Sequence, residues 1–149
     1  MCSAPENRME RPQTDLRTVY TETVIDHAQN PRNLGQSPDA DGFASVTGSC
    51  GDTMEIYIRV RNDKILNAAF FTDGCGTTIA AGSMVTELVK GKNVSDAFKI
   101  TQHDVLNALG GLPEESQHCA LLASDTLRAA IRDYLAFKNQ PWKRAYRAH

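Results

Sequence analysis

Hydrophobic and polar residues alternate most regularly in the middle of the chain. Apolar side chains occupy every second position from Met54 to Val60, with glutamate, tyrosine and arginine between them. This period of two is typical of a strand with one buried face. The turn residues Asn62-Asp63 separate it from a second strand over residues 64–72, and a shorter candidate precedes it over residues 43–49. The pattern predicts a three-stranded antiparallel meander with one face available for helices.

Apolar residues recur at helical spacing on both sides of this sheet. An amphipathic helix is predicted over residues 15–30, and it must end at Asn30 because Pro31 disfavours helix in the residue before it. Its apolar stripe consists of Leu16, Val19, Tyr20, Thr23, Val24 and His27. We interpret His27 as a packed or capping histidine. A second helix is predicted from Thr78, with Gly91 just beyond its end.

The last third of the chain is predicted to be helical. Residues 94–99 form a short helix or turn, and the capping signal Thr101-x-x-Asp104 starts a helix that Gly110-Gly111 ends. Pro113 then opens a long helix that extends to about Phe137. Strands followed by helices indicate an α+β fold, in which the three-stranded antiparallel sheet packs against a layer of helices.

Length and charge narrow the possible classes of protein. The 149 residues suit one domain, and 16 basic against 18 acidic residues give a net charge of −2, which offers no general attraction to nucleic acid or to an anionic membrane. No apolar run approaches the roughly 20 residues that span a bilayer, so we expect a cytoplasmic protein. We predict a disordered extension over residues 1–14, a folded domain over residues 15–137 and a basic tail over residues 138–149. That tail is either solvated or docks a partner.

The four cysteines are the main chemical signal. In a reducing compartment they are ligands or reactive thiols rather than disulfides, and the absence of a Cys-x-x-Cys pair argues against a zinc finger or a thioredoxin-type centre. Cys2 lies in the polar N-terminal segment and is interpreted as incidental. Cys75 lies between two glycines just before a predicted helix, where backbone amides and the helix dipole would favour thiolate.

Three short segments carry the remaining candidate ligands. They are Cys50-Gly51-Asp52, Gly74-Cys75-Gly76 and His118-Cys119, the last in the first turn of the long helix. If the strand ends and helix starts meet at one edge, three sulfurs, a carboxylate and an imidazole converge there. Zinc and iron–sulfur clusters both take four such ligands, so the spacing favours a metal or cluster site with Asp52 or His118 beside the cysteines.

At these residues the chain resembles the U-type iron–sulfur cluster assembly scaffolds, the group of IscU and the NifU N-terminal domain. The resemblance runs from about Tyr20 to Tyr134. Its motifs are Asp26-His27, Asn30-Pro31-Arg32-Asn33, Cys50-Gly51-Asp52, residues 71–76, residues 85–92, Leu112-Pro113 and His118-Cys119.

The resemblance implies a function and a set of site residues. Cys50, Cys75 and Cys119 would be ligands of a transient [2Fe–2S] cluster, with Asp52 and His118 beside them, and Asp52 would keep the cluster labile enough for transfer. A cysteine desulfurase would pass persulfide sulfur to an exposed thiolate, Cys119, and iron would enter among the five residues. The finished cluster would pass to acceptor apo-proteins, so the protein would be a scaffold rather than an enzyme with turnover.

The sequence also departs from the family. Members served by a dedicated Hsp70 chaperone carry Leu-Pro-Pro-Val-Lys, whereas residues 112–116 here are Leu-Pro-Glu-Glu-Ser. This difference argues against docking of that chaperone. The SufU-like relatives, which bind zinc, have an insertion between their second and third cysteines for which the interval from Cys75 to Cys119 leaves no room.

Two other functions remain open at this point. A sulfur-relay protein would use the same residues to hold Zn²⁺ and accept persulfide from a cysteine desulfurase, and zinc could also occupy the resting form of a scaffold. A cysteine-nucleophile enzyme would need a base for Cys119. His118 points about 100° away from Cys119 on a helix, and no pattern in the sequence places His27 or His103 beside it.

Overall fold

A sheet of three strands forms one layer of the molecule. The structure, a computed structural model, describes residues 20–139, with side chains up to Lys138. Strands β1 (Gly42–Thr47), β2 (Thr53–Arg61) and β3 (Lys64–Thr72) pair antiparallel in the order β1-β2-β3. Asn62 and Asp63 both take positive φ values, of 56° and 61°, as the two central residues of a primed hairpin turn do. The predicted meander is confirmed.

The first strand ends earlier than its pattern indicates. It was predicted over residues 43–49 but ends at Thr47. The backbone N–H of Gly48 donates to the carbonyl of Asp52 over 2.8 Å, which closes the turn between β1 and β2. Residues 48–52 therefore form a loop at one end of the sheet, and this loop carries Cys50.

The helices lie where the sequence places them, with small shifts. They are α1 (Glu22–Gln29), α2 (Gly76–Val89), α3 (Val94–Ala97), α4 (Gln102–Leu109), a 3₁₀ turn (Glu114–Ser116) and α5 (Gln117–Asn139). The predicted capping box of Thr101 and Asp104 is present, and Gly110 ends α4 with a φ of 83°. Between residues 20 and 139 no helix is long and apolar enough to span a membrane.

Three predicted helix starts are corrected. The helix predicted from Thr78 begins two residues earlier, at Gly76. The first helix begins at Glu22, because the side chain of Thr21 accepts the N–H of Val24 and caps the helix there. Tyr20 thus precedes the helix and Thr23 is exposed, while residues 15–19 lie outside the described part of the chain. The long helix becomes α-helical only at Gln117, after the 3₁₀ turn that follows Pro113.

The core lies between the inner face of the sheet and helices α2 and α5. Met54, Ile56, Ile58 and Phe70 of the sheet are fully buried there, and so are Ala123, Leu127, Ala130 and Ile131 of the predicted α5 stripe. Helix α2 approaches β3 so closely at Gly82 that an added Cβ would overlap the ring of Phe70. This packing holds the first turns of α2 and α5 against each other beside the end of the sheet.

Both outer edges of the sheet are bonded to other segments. On β3, the N–H of Phe70 donates to the carbonyl of Asn33 and the N–H of Gly35 to the carbonyl of Phe70, and Ile65 is bonded in the same way to Gly91 and Lys92. On β1, the N–H of Phe43 donates to Asp133 Oδ2 of α5 over 2.9 Å.

Candidate functional site

Three of the predicted site residues meet where the sheet, α2 and α5 come together. Asp52 lies one residue before β2, Cys75 is the residue immediately before α2, and Cys119 is in the first turn of α5. Because α2 packs against α5, the two sulfurs, which are far apart in the chain, lie close together. The fold therefore brings the two sulfurs together and places the Asp52 carboxylate beside the threonine that contacts them.

Two threonine hydroxyls fill the space between these residues. Thr77 Oγ1 lies 3.2 Å from Cys75 Sγ and 3.5 Å from Cys119 Sγ. Thr78 Oγ1 lies 3.7 Å from Cys75 Sγ and 3.4 Å from Cys119 Sγ, and it donates a hydrogen bond to Asp52 Oδ2 over 2.9 Å. Both threonines are buried, Thr78 completely. Neither threonine stands out in the sequence, since threonine in the first turn of a helix is common and carries no chemical signature.

The Cys75 thiol is strongly acidic. Its pKa falls to about 5, chiefly because the neighbouring Cys119 thiol stabilises the thiolate, with help from the Thr77 hydroxyl and the backbone amide of Thr78, while burial acts in the opposite direction. The sequence predicted a lowered pKa from the helix N-terminus. The direction agrees, but the largest cause is a residue from a different helix.

Cys119 is less accessible than the sequence analysis expected. It was predicted as an exposed thiolate, yet its exposure is 0%. Its place in the first turn of α5 directs it toward Thr77 and Thr78 of α2, whose hydroxyls contact its sulfur. Cys75 and Cys50 are both half-buried, so the accessible sulfurs belong to the loops and not to α5.

Cys50 and His118 lie on the neighbouring chain segments. Cys50 is held in the 48–52 loop, where Gly51 takes a φ of 92° and donates its N–H to the carbonyl of Gly48. His118 precedes Cys119 in the chain and is half-buried. Over the residues that the structure describes, no three or more Cys, His, Asp or Glu side chains are grouped closely enough to hold a metal ion. The set of five ligands thus stays a prediction.

Gly74 shapes the backbone beside Asp52. A Cβ at this position would lie 2.7 Å from Asp52 Oδ2 and 2.7 Å from the Cβ of Thr78, closer than non-bonded atoms approach. Only glycine leaves room for the carboxylate and the threonine to meet under the turn. Of the two glycines that flank Cys75, Gly74 is therefore required for close packing.

The motifs at residues 26–27 and 30–33 make contacts that hold the fold together, away from the candidate site. His27 is buried and its Nδ1 is hydrogen-bonded to Ser83 Oγ at 2.7 Å, which confirms it as a packed histidine. Ser83 also accepts the N–H of Arg32, and Asn33, with a φ of 67°, donates its side-chain N–H to Thr86. The segment 30–33 therefore fastens the first loop to α2.

His27 and His103, the two histidines outside the site that lie within residues 20–139, give no support to the enzyme alternative. His27 is engaged with Ser83, and His103 is exposed on α4. A cysteine nucleophile at Cys119 would also have to work from a fully buried position.

Comparison with known proteins shows the family to which the chain belongs. The family model of the NifU-like N terminal domain matches residues 19–141. The chain is 50% identical over 117 residues to "Iron-sulfur cluster assembly scaffold protein IscU 1" of Archaeoglobus fulgidus, covering 78% of this chain and 76% of that protein. It is 46% identical over 119 residues to the protein named IscU of Aquifex aeolicus, with the same coverage of both chains.

A solved structure shows the same fold. The crystal structure of a NifU-like protein (N-terminal) from Brucella abortus superposes with a TM-score of 0.63 at 21% identity, covering 81% of this chain and 97% of the other. The fold predicted from the sequence and the extent of the family match therefore agree, and this chain belongs to the NifU-like N-terminal domain family.

Proposed function

We propose that this protein is a scaffold on which an iron–sulfur cluster is assembled and from which it is transferred to acceptor proteins. The observation that carries the proposal is the meeting of Cys75, Cys119 and Asp52 at the edge where sheet and helices join. Thiolate and carboxylate are ligand types that suit iron, and the Thr78 hydroxyl links the carboxylate to the two sulfurs, so a modest rearrangement would be needed to receive the cluster, which is the cargo of this site.

We propose Cys50, Asp52, Cys75, His118 and Cys119 as the residues that hold the cargo, with Asp52 or His118 as the fourth ligand. Cys50 would join the set through a displacement of the 48–52 loop, whose glycines leave the backbone adaptable. An incomplete set of thiolates holds a cluster less firmly than four cysteines do, which suits transfer to an acceptor. A [2Fe–2S] cluster is the form that we propose.

We propose that sulfur arrives from a cysteine desulfurase as a persulfide and ends on Cys119. The thiolate attacks the outer sulfur of the donor's persulfide, and the donor cysteine leaves as a thiolate. Because Cys119 is fully buried, this step requires the chain around it to open. Cys75 is half-buried and its thiol pKa is about 5, so it is the alternative first acceptor, which could then pass the sulfur to its neighbour.

The segment before the His-Cys pair is unsuited to the chaperone motif named above. Ser116, at the position of the motif's lysine, is 1% exposed, and residues 114–116 form a 3₁₀ turn. We propose that transfer from this scaffold does not depend on an Hsp70 that reads that motif.

Anaerobic reconstitution tests the function. The protein is incubated with a cysteine desulfurase, cysteine, a thiol reductant and ferrous iron, and iron, acid-labile sulfide and visible absorption are measured before and after apo-ferredoxin is added. We expect about two iron and two sulfide ions per site, lost to the ferredoxin. Cys75→Ser should abolish cluster assembly, whereas the matched variant Cys2→Ser should assemble and transfer a cluster as wild type does.

Other outcomes are decisive as well. If the protein binds zinc stoichiometrically and develops no iron–sulfur chromophore, the scaffold proposal is wrong and the zinc-binding sulfur relay takes its place. When iron is omitted, the masses of the intact protein and of its peptides locate the added sulfur. Comparing sulfur uptake by Cys119→Ser with that by Cys75→Ser separates the two candidate acceptors. Sulfur that still accumulates in both variants would refute the persulfide step at this pair.

A further inference from the structure

The Thr78 hydroxyl connects three of the proposed ligand residues. Its Oγ1 donates to Asp52 Oδ2 over 2.9 Å and lies 3.4 Å from Cys119 Sγ and 3.7 Å from Cys75 Sγ. Thr78 is completely buried, so no water competes for this hydroxyl.

The single proton of that hydroxyl determines its orientation. In its contact with Asp52 the hydroxyl is the donor, so its proton is directed to the carboxylate oxygen Oδ2. The carboxylate is thereby fixed in position relative to both cysteines before any iron binds.

The backbone around Gly74 provides independent evidence for the importance of this contact. An added Cβ there would lie 2.7 Å both from Asp52 Oδ2 and from the Thr78 Cβ. The turn after β3 is therefore shaped to let these two side chains touch. Asp52 is held between the backbone of this turn and the Thr78 hydroxyl.

We propose that Thr78 is a positioning residue, which orients the Asp52 carboxylate toward Cys75 and Cys119 and so determines how firmly the site holds its iron cargo. The inference rests on the proposed scaffold function and adds to it a residue that acts through a ligand. Hydrogen-bond partners of metal ligands fix ligand geometry, and their loss typically weakens metal binding by about 10- to 100-fold.

Two substitutions isolate the hydroxyl. Thr78→Val keeps the shape of the side chain and removes the hydrogen bond, while Thr78→Ser keeps the hydroxyl. We expect Thr78→Val to release its cluster to a chelator about tenfold faster than wild type, and Thr78→Ser to stay within about twofold of it. The apo-protein gives a second readout, since ferrous iron affinity, measured anaerobically by titration, should weaken by about the same factor.

Thr126→Val is the matched control for burying valine in place of threonine. Thr126 is also completely buried, but its hydroxyl donates to the carbonyl of Leu122 within α5. We expect Thr126→Val to leave cluster release and iron affinity unchanged. If it changes them as much as Thr78→Val does, the effect is structural and the proposal fails.

A double-mutant cycle with Asp52→Ala tests the route of action. If Thr78 acts through the carboxylate, Thr78→Val should have no further effect on iron affinity or cluster release once Asp52 is alanine. If Thr78→Val still weakens iron affinity to the same extent in the Asp52→Ala background, Thr78 acts through the cysteines and the proposal is overturned. If Thr78→Val does not fold, Thr78→Ala takes its place in the same cycle.

The outcomes separate this inference from the scaffold function. A wild-type protein that assembles no cluster refutes the function itself. A wild type that assembles and transfers a cluster, together with a Thr78→Val variant that matches it in iron affinity and in release, refutes only the role of Thr78.

Discussion

At the scale of single residues, the site depends on contacts between side chains that no local pattern reveals. Cys75 was identifiable from its glycines and from the helix that follows it. The main cause of its low pKa, the Cys119 thiol, comes from a different helix. Thr77 and Thr78 complete the arrangement, and their role becomes visible only when α2 and α5 are packed together.

The acidity of Cys75 predicts its reactivity. A thiol with a pKa of about 5 stays thiolate down to mildly acidic pH, so alkylation of Cys75 by iodoacetamide should proceed at an almost constant rate from pH 8 to about pH 6. Peptide mass mapping reads each cysteine separately. Cys119→Ala should shift the midpoint of this profile upward, because the largest stabilising contact is lost. A wild-type midpoint near the ordinary cysteine pKa of about 8.5 would contradict the assignment.

His27 predicts a dependence of stability on pH. Burial and the nearby Arg32 lower the pKa of His27, so the unfolded chain binds a proton more readily than the native protein does. The stability that depends on neutral His27 should therefore be complete above about pH 6.5. The free energy of unfolding should decrease as the pH falls below that value.

Urea unfolding at pH 7.5 and pH 5.5 checks this prediction. His27→Gln should show a smaller loss of stability between the two pH values than wild type. The matched variant His103→Gln, at an exposed position on α4, should retain the wild-type loss. Equal losses in wild type and His27→Gln would mean that another group is responsible.

At the scale of helices and strands, periodicity and turn residues were sufficient for most of the fold. The alternation from Met54 to Val60 identified β2, and Asn62-Asp63 located the hairpin. Helix starts were harder to predict, because a cap depends on one side chain. The Thr21 side chain caps the first helix, which therefore begins at Glu22.

The close approach of α2 to β3 was not predictable from the sequence. Gly82 lies in a helical stripe where alanine would serve equally well by pattern. Only the position of the Phe70 ring shows that a side chain has no room there.

Gly82→Ala tests this contact. Alanine favours a helix over glycine by up to about 1 kcal/mol, but overpacking against Phe70 should cost about 1–3 kcal/mol, so we expect a net loss of stability. Thermal or urea unfolding measures it. Gly76→Ala is the matched variant on the same helix, since its added Cβ would meet Ala28 at an ordinary 3.7 Å. A Gly82→Ala protein as stable as wild type would show that the helix can move away from the sheet without cost.

At the scale of the whole molecule, the candidate site is assembled from three separate parts of the chain. The sequence indicated which segments contribute, and the structure adds that Cys119 is buried and that Asp52 is fixed by Thr78. The ligand roles of all five residues remain predictions, because no sequence pattern encodes how side chains from separate segments are arranged around a cargo.

The bonded edges of the sheet limit how other proteins can bind. Strand edges with unpaired backbone groups invite another chain to add a strand, which is also a route to aggregation. Here Asn33 and Gly35 occupy part of the β3 edge, and Asp133 occupies the N–H of Phe43 on β1. At these positions, a protein that meets this molecule therefore encounters side chains and loops instead of a backbone template. Such contacts can be made and released without breaking a ladder of backbone hydrogen bonds, which suits the transfer that we propose for this protein.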